Sequence, residues 1–124
     1  MIHLDTHVVA WLWAKDERKL RRIRRVLERN ELSVSPMVQL ELQALFEIGR
    51  TRESGAVVLS GLAERVGLRV SEEPFVNIVQ HAANLSWTRD PFDRVIVGNA
   101  IAEGVRLLTV DENIQRHLPS AFWP

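Results

Sequence analysis

The sequence predicts an α/β fold with a mainly parallel sheet flanked by helices. Three observations carry that expectation. Short apolar runs of strand length alternate with longer stretches whose apolar residues recur at helical spacing. The helical stretches are punctuated at their ends, with Pro36 and Asp90-Pro91 at starts and Gly67 and Gly104 at stops. Acids stand at the junctions: Asp5 and Asp111 where strands end, Asp93 where a helix begins.

Ile2-His3-Leu4 is the opening strand, and Asp5 ends it. From Thr6-His7 a helix runs through Trp13, apolar nearly all round, which implies burial on several sides by the core or by a partner. Its two Trp residues, Trp11 and Trp13, leave room for a partner surface, because Trp is enriched at interfaces. Asp16 to Arg29 reads as one helix with Leu20, Ile23 and Leu27 inward. Lys15, Arg18, Lys19, Arg21, Arg22, Arg24, Arg25 and Arg29 cover its remaining surface. Such a run is usually a solvated face; its sharper meaning is a surface that follows phosphates.

Leu32 to Ser35 is the second strand, and Pro36 opens a helix from Met37 to Gly49. At 100° per residue, Ala44, Met37, Ile48, Leu45, Val38 and Leu42 share one arc, with Glu41 in its middle. A carboxylate on an apolar face is costly unless it is paired or binds a metal. An Arg partner is the plain explanation. Yet Glu41 lies only ~8 Å along a helix that starts at a strand end, near the edge that already carries Asp5, Asp93 and Asp111.

After a loop from Arg50 to Ser54, a helix from Ala56 to Val66 turns Val57, Val58, Leu62 and Val66 inward. Leu68-Arg69-Val70 is a brief strand. Pro74 to Leu85 is a further helix, with Phe75, Ile78, Val79 and Ala82 inward. Asp90 caps the next helix, Pro91 fits its first position, and Asp93 falls in its first turn. Arg106 to Val110 is a buried strand that ends at Asp111, and Ala121 to Pro124 reads as a last edge strand.

The 124 residues suffice for a single domain, 1–124, around one core. There is no cysteine, which excludes disulfides, thiolate catalysis and cysteine zinc sites and suits a reducing cytoplasm. No apolar run reaches membrane-span length and no signal peptide is expected ahead of Asp5, so the expected location is cytoplasmic. Sixteen basic and sixteen acidic residues cancel, so gross charge does not announce a nucleic-acid binder.

Taken singly, Asp90, Asp93 and Asp111 are ordinary helix-start residues. Together with Asp5 and Glu41 on one edge, Asp93 and Asp111 imply more. Like charges at close range repel unless a cation joins them. Oxygen ligands without Cys or paired His select a hard ion, Mg²⁺ or Mn²⁺, and such clusters suit phosphodiester hydrolysis. Thr6 and Thr109 are placed to hold a water or a phosphate oxygen, or to act as local caps. Nucleotide loops of the GxxxxGK[ST] or GxGxxG type are absent. His3, His7, His81 and His117 lack zinc-type spacing, and His3 and His7 read as structural.

In LDTH (Leu4–His7), LELQALFEIGR (Leu40–Arg50), RDPFDRVIVGNAI (Arg89–Ile101) and LLTVDENI (Leu107–Ile114), the chain resembles PIN-domain proteins. Specifically, it is similar to VapC-type toxin ribonucleases of type II toxin–antitoxin pairs. The resemblance spans essentially the whole chain and implies a three-layer PIN-like fold. It implies that Asp5, Glu41, Asp93 and Asp111 bind metal and carry out Mg²⁺-dependent RNA cleavage. It also implies a homodimer and a cognate antitoxin that blocks the site. Gly98-Asn99 stands where these proteins usually carry Ala-Gln, and Val110 where a small residue often precedes the last Asp. Those departures bear on helix packing and on the pose of Asp111.

Two other classes fit parts of the pattern. A receiver-like phosphoacceptor would need a late Lys, and no Lys follows Lys19. A catalytically silent PIN-like module that binds RNA or protein would keep the basic helix without needing an acid at Glu41.

Overall fold

The computed structural model describes residues 1–124. Strand β1 (Ile2–Leu4) leads through helices α1 (Thr6–Ala14), α2 (Glu17–Leu20) and α3 (Arg24–Arg29) to β2 (Leu32–Val34). Helices α4 (Pro36–Glu47) and α5 (Gly55–Val66) lead to β3 (Arg69–Val70). Next come α6 (Phe75–Ala82), α7 (Pro91–Glu103), β4 (Arg106–Leu108), α8 (Glu112–His117) and β5 (Ala121–Phe122). The five strands form one sheet in the order β3-β2-β1-β4-β5, and every pairing is parallel. Central β1 sets the register, with Ile2 opposite Leu32 and Arg106, and Leu4 opposite Leu108.

That order positions the site. From β1 the chain steps outward through β2 to β3, then returns to place β4 and β5 on the other side of β1. The loops after β1 and β4 therefore leave in opposite directions. The switch in strand order falls between them, at the carboxyl ends of the strands, where open α/β sheets bind ligands.

The core is apolar and continuous. Ile2, Leu4, Val34, Leu107 and Leu108 of the sheet pack with Val8, Val9, Val38, Leu42, Leu62, Ile96 and Val97 of the helices, all buried. Each such aliphatic side chain contributes about 1.5–3 kcal/mol relative to exposure. Helices α6 and α7 share the most extensive helix–helix contact. Gly98 makes it possible: a Cβ there would lie 2.9 Å from the Ile78 carbonyl oxygen and 3.0 Å from the Ala82 nitrogen. The departure at Gly98-Asn99 thus sets the spacing of two helices. Asn99 is buried and donates to Ser71 Oγ at 2.9 Å, and Ser71 in turn donates to Glu103.

The expected helix from Asp16 to Arg29 is broken at Arg21–Ile23. There the Ile23 amide bonds to the Leu20 carbonyl, three residues back, at 3.0 Å. The tighter turn stacks Leu20 and Ile23 above one another, and both reach the core while the Arg residues around them stay exposed. Four residues expected inward are exposed: Val57, Val66, Phe75 and Val79. On α5 the inward set is Val58, Leu59 and Leu62, and on α6 it is Ile78 and Ala82. Trp13 is taken up by the fold, since its ring fills the space above Gly61 of α5. No helix is long and apolar enough to cross a membrane.

Candidate active site

Asp5 follows β1 directly and caps α1, its Oδ1 accepting from the Thr6 amide at 2.8 Å. Its Oδ2 accepts from the Thr109 hydroxyl at 2.6 Å, so both carboxylate oxygens are fixed. The side chain is buried. Burial pushes its pKa up, opposed by the bonds from Thr109 and Thr6 and by the charge of His7, and aided by Asp111.

Glu41 lies in the second turn of α4, which Ser35 caps through the Met37 amide at 3.1 Å and Pro36 begins. The carboxylate is half-buried and accepts from the Thr6 hydroxyl. No Arg pairs with it, since the ion pairs of the fold, His3–Glu103 and Arg24–Glu17, lie elsewhere. Its pKa is raised by burial first; Thr6 opposes the rise, and the charges of Asp5 and Asp90 add to it.

Asp93 projects from the first turn of α7, where Asp90 caps the Phe92 amide at 2.8 Å. Its pKa is pushed up to about 7, by burial first and then by the charges of Asp90, Asp5, Asp111 and Glu41. Asp111 caps α8 through the Ile114 amide at 3.0 Å, and its own amide donates to Thr109 Oγ1 at 3.0 Å. The four expected acids therefore lie within electrostatic reach of one another at the carboxyl edge of the sheet.

Both threonines are buried. Their hydroxyl protons go to carboxylates, Thr6 to Glu41 and Thr109 to Asp5. They orient acids, where the sequence left open a hold on water or phosphate or a role as local caps, and Thr109 also accepts from the Asp111 amide. Sequence reasoning undervalued two further residues. Asp90 caps its helix as expected, and its charge also bears on Asp93 and Glu41. His7 is exposed, not a core histidine, and its charge bears on Asp5 and Glu41. Its position two residues after Asp5, in the first turn of α1, was the available signal.

No cavity of the fold is lined by any of the four acids, so the edge is an open surface. No three acidic or histidine side chains converge on a single ion position.

An all-parallel five-stranded sheet whose strands alternate with helices places the chain in the α/β class. The family model for the PIN domain matches residues 2–118, and the chain belongs to the PIN-domain family. It is 34% identical to Ribonuclease VapC22 of Mycobacterium tuberculosis over 117 residues, which cover 92% of this chain and 89% of that protein. Its fold is similar to that of a chain in the crystal structure of VapBC2 from Rickettsia felis bound to a DNA fragment from their promoter, with a TM-score of 0.68 at 21% identity over 98% of this chain and 96% of that one. A toxin–antitoxin complex from Klebsiella pneumoniae matches with a TM-score of 0.71 at 14% identity, covering 100% and 98%.

Proposed function

We propose that the protein is a Mg²⁺-dependent endoribonuclease toxin of a type II toxin–antitoxin pair, cleaving RNA at the edge formed by Asp5, Glu41, Asp93 and Asp111. The observation that carries this reading is the placement of four acids at one edge of the sheet, with Asp5 and Glu41 each accepting from a buried threonine hydroxyl and Asp93 pushed up to about 7 by burial and by the acids around it. Such repulsion is retained where a cation relieves it. The relative named Ribonuclease VapC22 supports the ribonuclease class.

The donor set fits Mg²⁺, with Mn²⁺ as the near alternative. Every donor is a carboxylate oxygen, and Mg²⁺ keeps several of its waters while one or two carboxylates bind it directly. Three convergent ligands are therefore not required, and the four acids would hold the ion directly or through its waters. Bound there, the metal supplies positive charge for the phosphoryl oxygens and lowers the pKa of a water. The chain does the rest. Thr6 and Thr109 hold Glu41 and Asp5 in one orientation. Asp93, its pKa held near neutrality by burial and by the acids around it, would have to be ionised to hold a cation, so ion binding would be coupled to proton release at this side chain. The open edge admits a polymer.

The same reading includes two protein partners. A cognate antitoxin is expected to bring Arg or Lys to the acids and to dock beside them. A homodimer is expected through the apolar face of α4 and α6, where Leu40 is 55% exposed and Phe75 and Val76 are 65% exposed. The whole of 1–124 acts as one domain in this reading, in the cytoplasm.

Cleavage of RNA by freshly purified protein, with and without EDTA, tests the proposal. Activity should vanish on chelation and return with Mg²⁺ or Mn²⁺. Undiminished cleavage in EDTA would overturn it. At a hundredfold excess over its dissociation constant, the ion should also stabilise the fold by ~2.7 kcal/mol.

A further inference from the structure

We propose that His7, Trp11 and Trp123, with Lys19 beside them, form a track that guides single-stranded RNA to the acidic edge. This rests on the ribonuclease reading and adds to it the residues that hold the substrate.

The track begins at the acids. His7 lies two residues beyond Asp5, in the first turn of α1, and is exposed. One helical turn on, Trp11 presents its ring 6.2 Å from that of His7, tilted by 47°. Residues four apart share a helix face, so α1 leads the two rings away from the site in line. Trp123 continues the line, edge-on to Trp11 at 6.0 Å and 71°. Its place is fixed by the sheet. The Thr109 amide donates to the Phe122 carbonyl at 3.1 Å, and Thr109 is the residue whose hydroxyl holds Asp5. Both ends of the ring series are thus tied to the carboxyl edge. Lys19 Nζ lies 5.2 Å from the Trp11 ring centroid, and this side chain is exposed.

Trp11 and Trp123 pack in part against the core, and each leaves part of its ring uncovered, while His7 is exposed. Aromatic rings in series beside a cation are what single strands are held by: bases stack on the rings and the phosphate meets the charge. A duplex keeps its bases stacked inside and cannot use such a series. Stacking tolerates any base, so the track selects strandedness and sets register at the acids, with little selection of sequence. The single charge at Lys19 complements a phosphate backbone.

The test separates binding from cleavage. Asp93→Asn protein, which should bind without turnover, is titrated with a fluorescein-labelled oligouridine and with the same strand annealed to its complement. Single-strand preference is expected. Adding Trp123→Ala or His7→Ala in that background should weaken single-strand binding roughly tenfold or more per ring. Lys19→Gln should lower the salt dependence of binding by about one phosphate contact. In active protein Trp123→Ala and Lys19→Gln should raise KM with little change in kcat. Melting temperatures within a few degrees of the parent would show that these variants fold; Trp123→Phe should retain most binding. Unchanged single-strand affinity in Trp123→Ala and His7→Ala overturns the track while leaving the ribonuclease reading intact. Absent RNA binding by the parent protein overturns the track as well. Retained oligouridine binding with lost affinity for an arginine-rich amphipathic peptide would mean that the rings serve a protein partner, and the proposal would fail. Loss of EDTA sensitivity bears on the ribonuclease reading alone.

Discussion

Thr109 donates its hydroxyl proton to Asp5 Oδ2 at 2.6 Å, across the gap between the central strand and its neighbour. The Thr109 hydroxyl oxygen also accepts from the Asp111 amide at 3.0 Å, so one buried side chain sets the positions of two acids.

Removing that hydroxyl should therefore disturb the site more than the fold. Thr109→Val keeps the shape and deletes the bond, leaving the Asp111 amide and one Asp5 oxygen without their partner. A buried bond of this kind contributes ~1–2 kcal/mol. Cleavage should fall by more than that loss of folded protein explains, because Asp5 is free to turn. Thr109→Ser should restore most of the rate. Urea denaturation and single-turnover cleavage on the three proteins measure both effects. Equal rates per folded molecule in the Val and Ser variants would show that the hydroxyl does not orient Asp5.

Stability without divalent ions should depend on pH in a direction that Asp93 fixes. Its folded pKa is about 7 against an ordinary 3.8, so between those values the folded protein holds a proton that the unfolded chain has released. The stability this supplies is complete below the lower value and is lost as pH rises through the upper one. Asp5 and Glu41, also raised chiefly by burial, act in the same direction. His3 acts oppositely: burial lowers it below 6.5, so its contribution grows as pH rises toward that value. Comparison with Asp93→Asn cancels the other groups. The parent should lose more melting temperature than this variant between about pH 6 and about pH 8, and saturating Mg²⁺ should shrink the difference, since a cation favours the ionised form. Parallel pH curves for the two proteins would refute the raised pKa.

Gly98 offers a purely structural prediction. Its hydrogen faces the α6 backbone, where an added methyl would press on the Ile78 carbonyl and the Ala82 nitrogen. Gly98→Ala should destabilise by ~1–3 kcal/mol, as overpacking does, even though Ala is the better helix former. Because α7 also carries Asp93, cleavage per folded molecule is the second readout, and a fall there would mean that the helix shift reaches the acid. A gain in stability would show that α6 gives way freely.

The sequence made the alternation of elements legible because strand runs are short and apolar and helix ends carry Asp, Pro or Gly. Exposure was harder to read. Periodicity tells which face of α6 is apolar, but not whether anything covers it, and Phe75 and Val79 stand uncovered. The break at Arg21–Ile23 was hidden because Leu20, Ile23 and Leu27 suit a continuous helix as well as a tightened one. Glu41 was legible as an acid out of place on an apolar arc. Its partner was not, since Thr6 lies thirty-five positions away in sequence and meets it only after β1 and β2 pair. Trp123 carries no motif at all; its neighbours become evident only when β5 joins β4 and faces α1.

Asp90 and Asp93 occupy one helical turn and separate a site from an ordinary helix start. Asp90 accepts the Phe92 amide at 2.8 Å and is a cap by geometry. Its substitution by Ala should cost ~1 kcal/mol of stability. It should also lower the pKa of Asp93, because the Asp90 charge is the largest contribution after burial to its rise. Asp90→Ala should therefore retain most activity per folded molecule, with the acid limb of the pH–rate profile displaced to lower pH. If Asp93 only served the helix dipole, Asp93→Asn would cost a few tenths of a kcal/mol and leave the chemistry alone. If it holds the ion, Asp93→Asn should lose nearly all cleavage. Its metal-free fold at neutral pH or above should be unchanged or slightly more stable, since one of several repelling charges is gone. Its stabilisation by Mg²⁺ should shrink as well. Melting temperature with and without Mg²⁺, beside RNA cleavage, distinguishes the cases across the parent and the two variants. An Asp93→Asn protein with parental cleavage and an undiminished Mg²⁺ response would remove Asp93 from the site and favour a PIN-like module that binds RNA or protein without cutting.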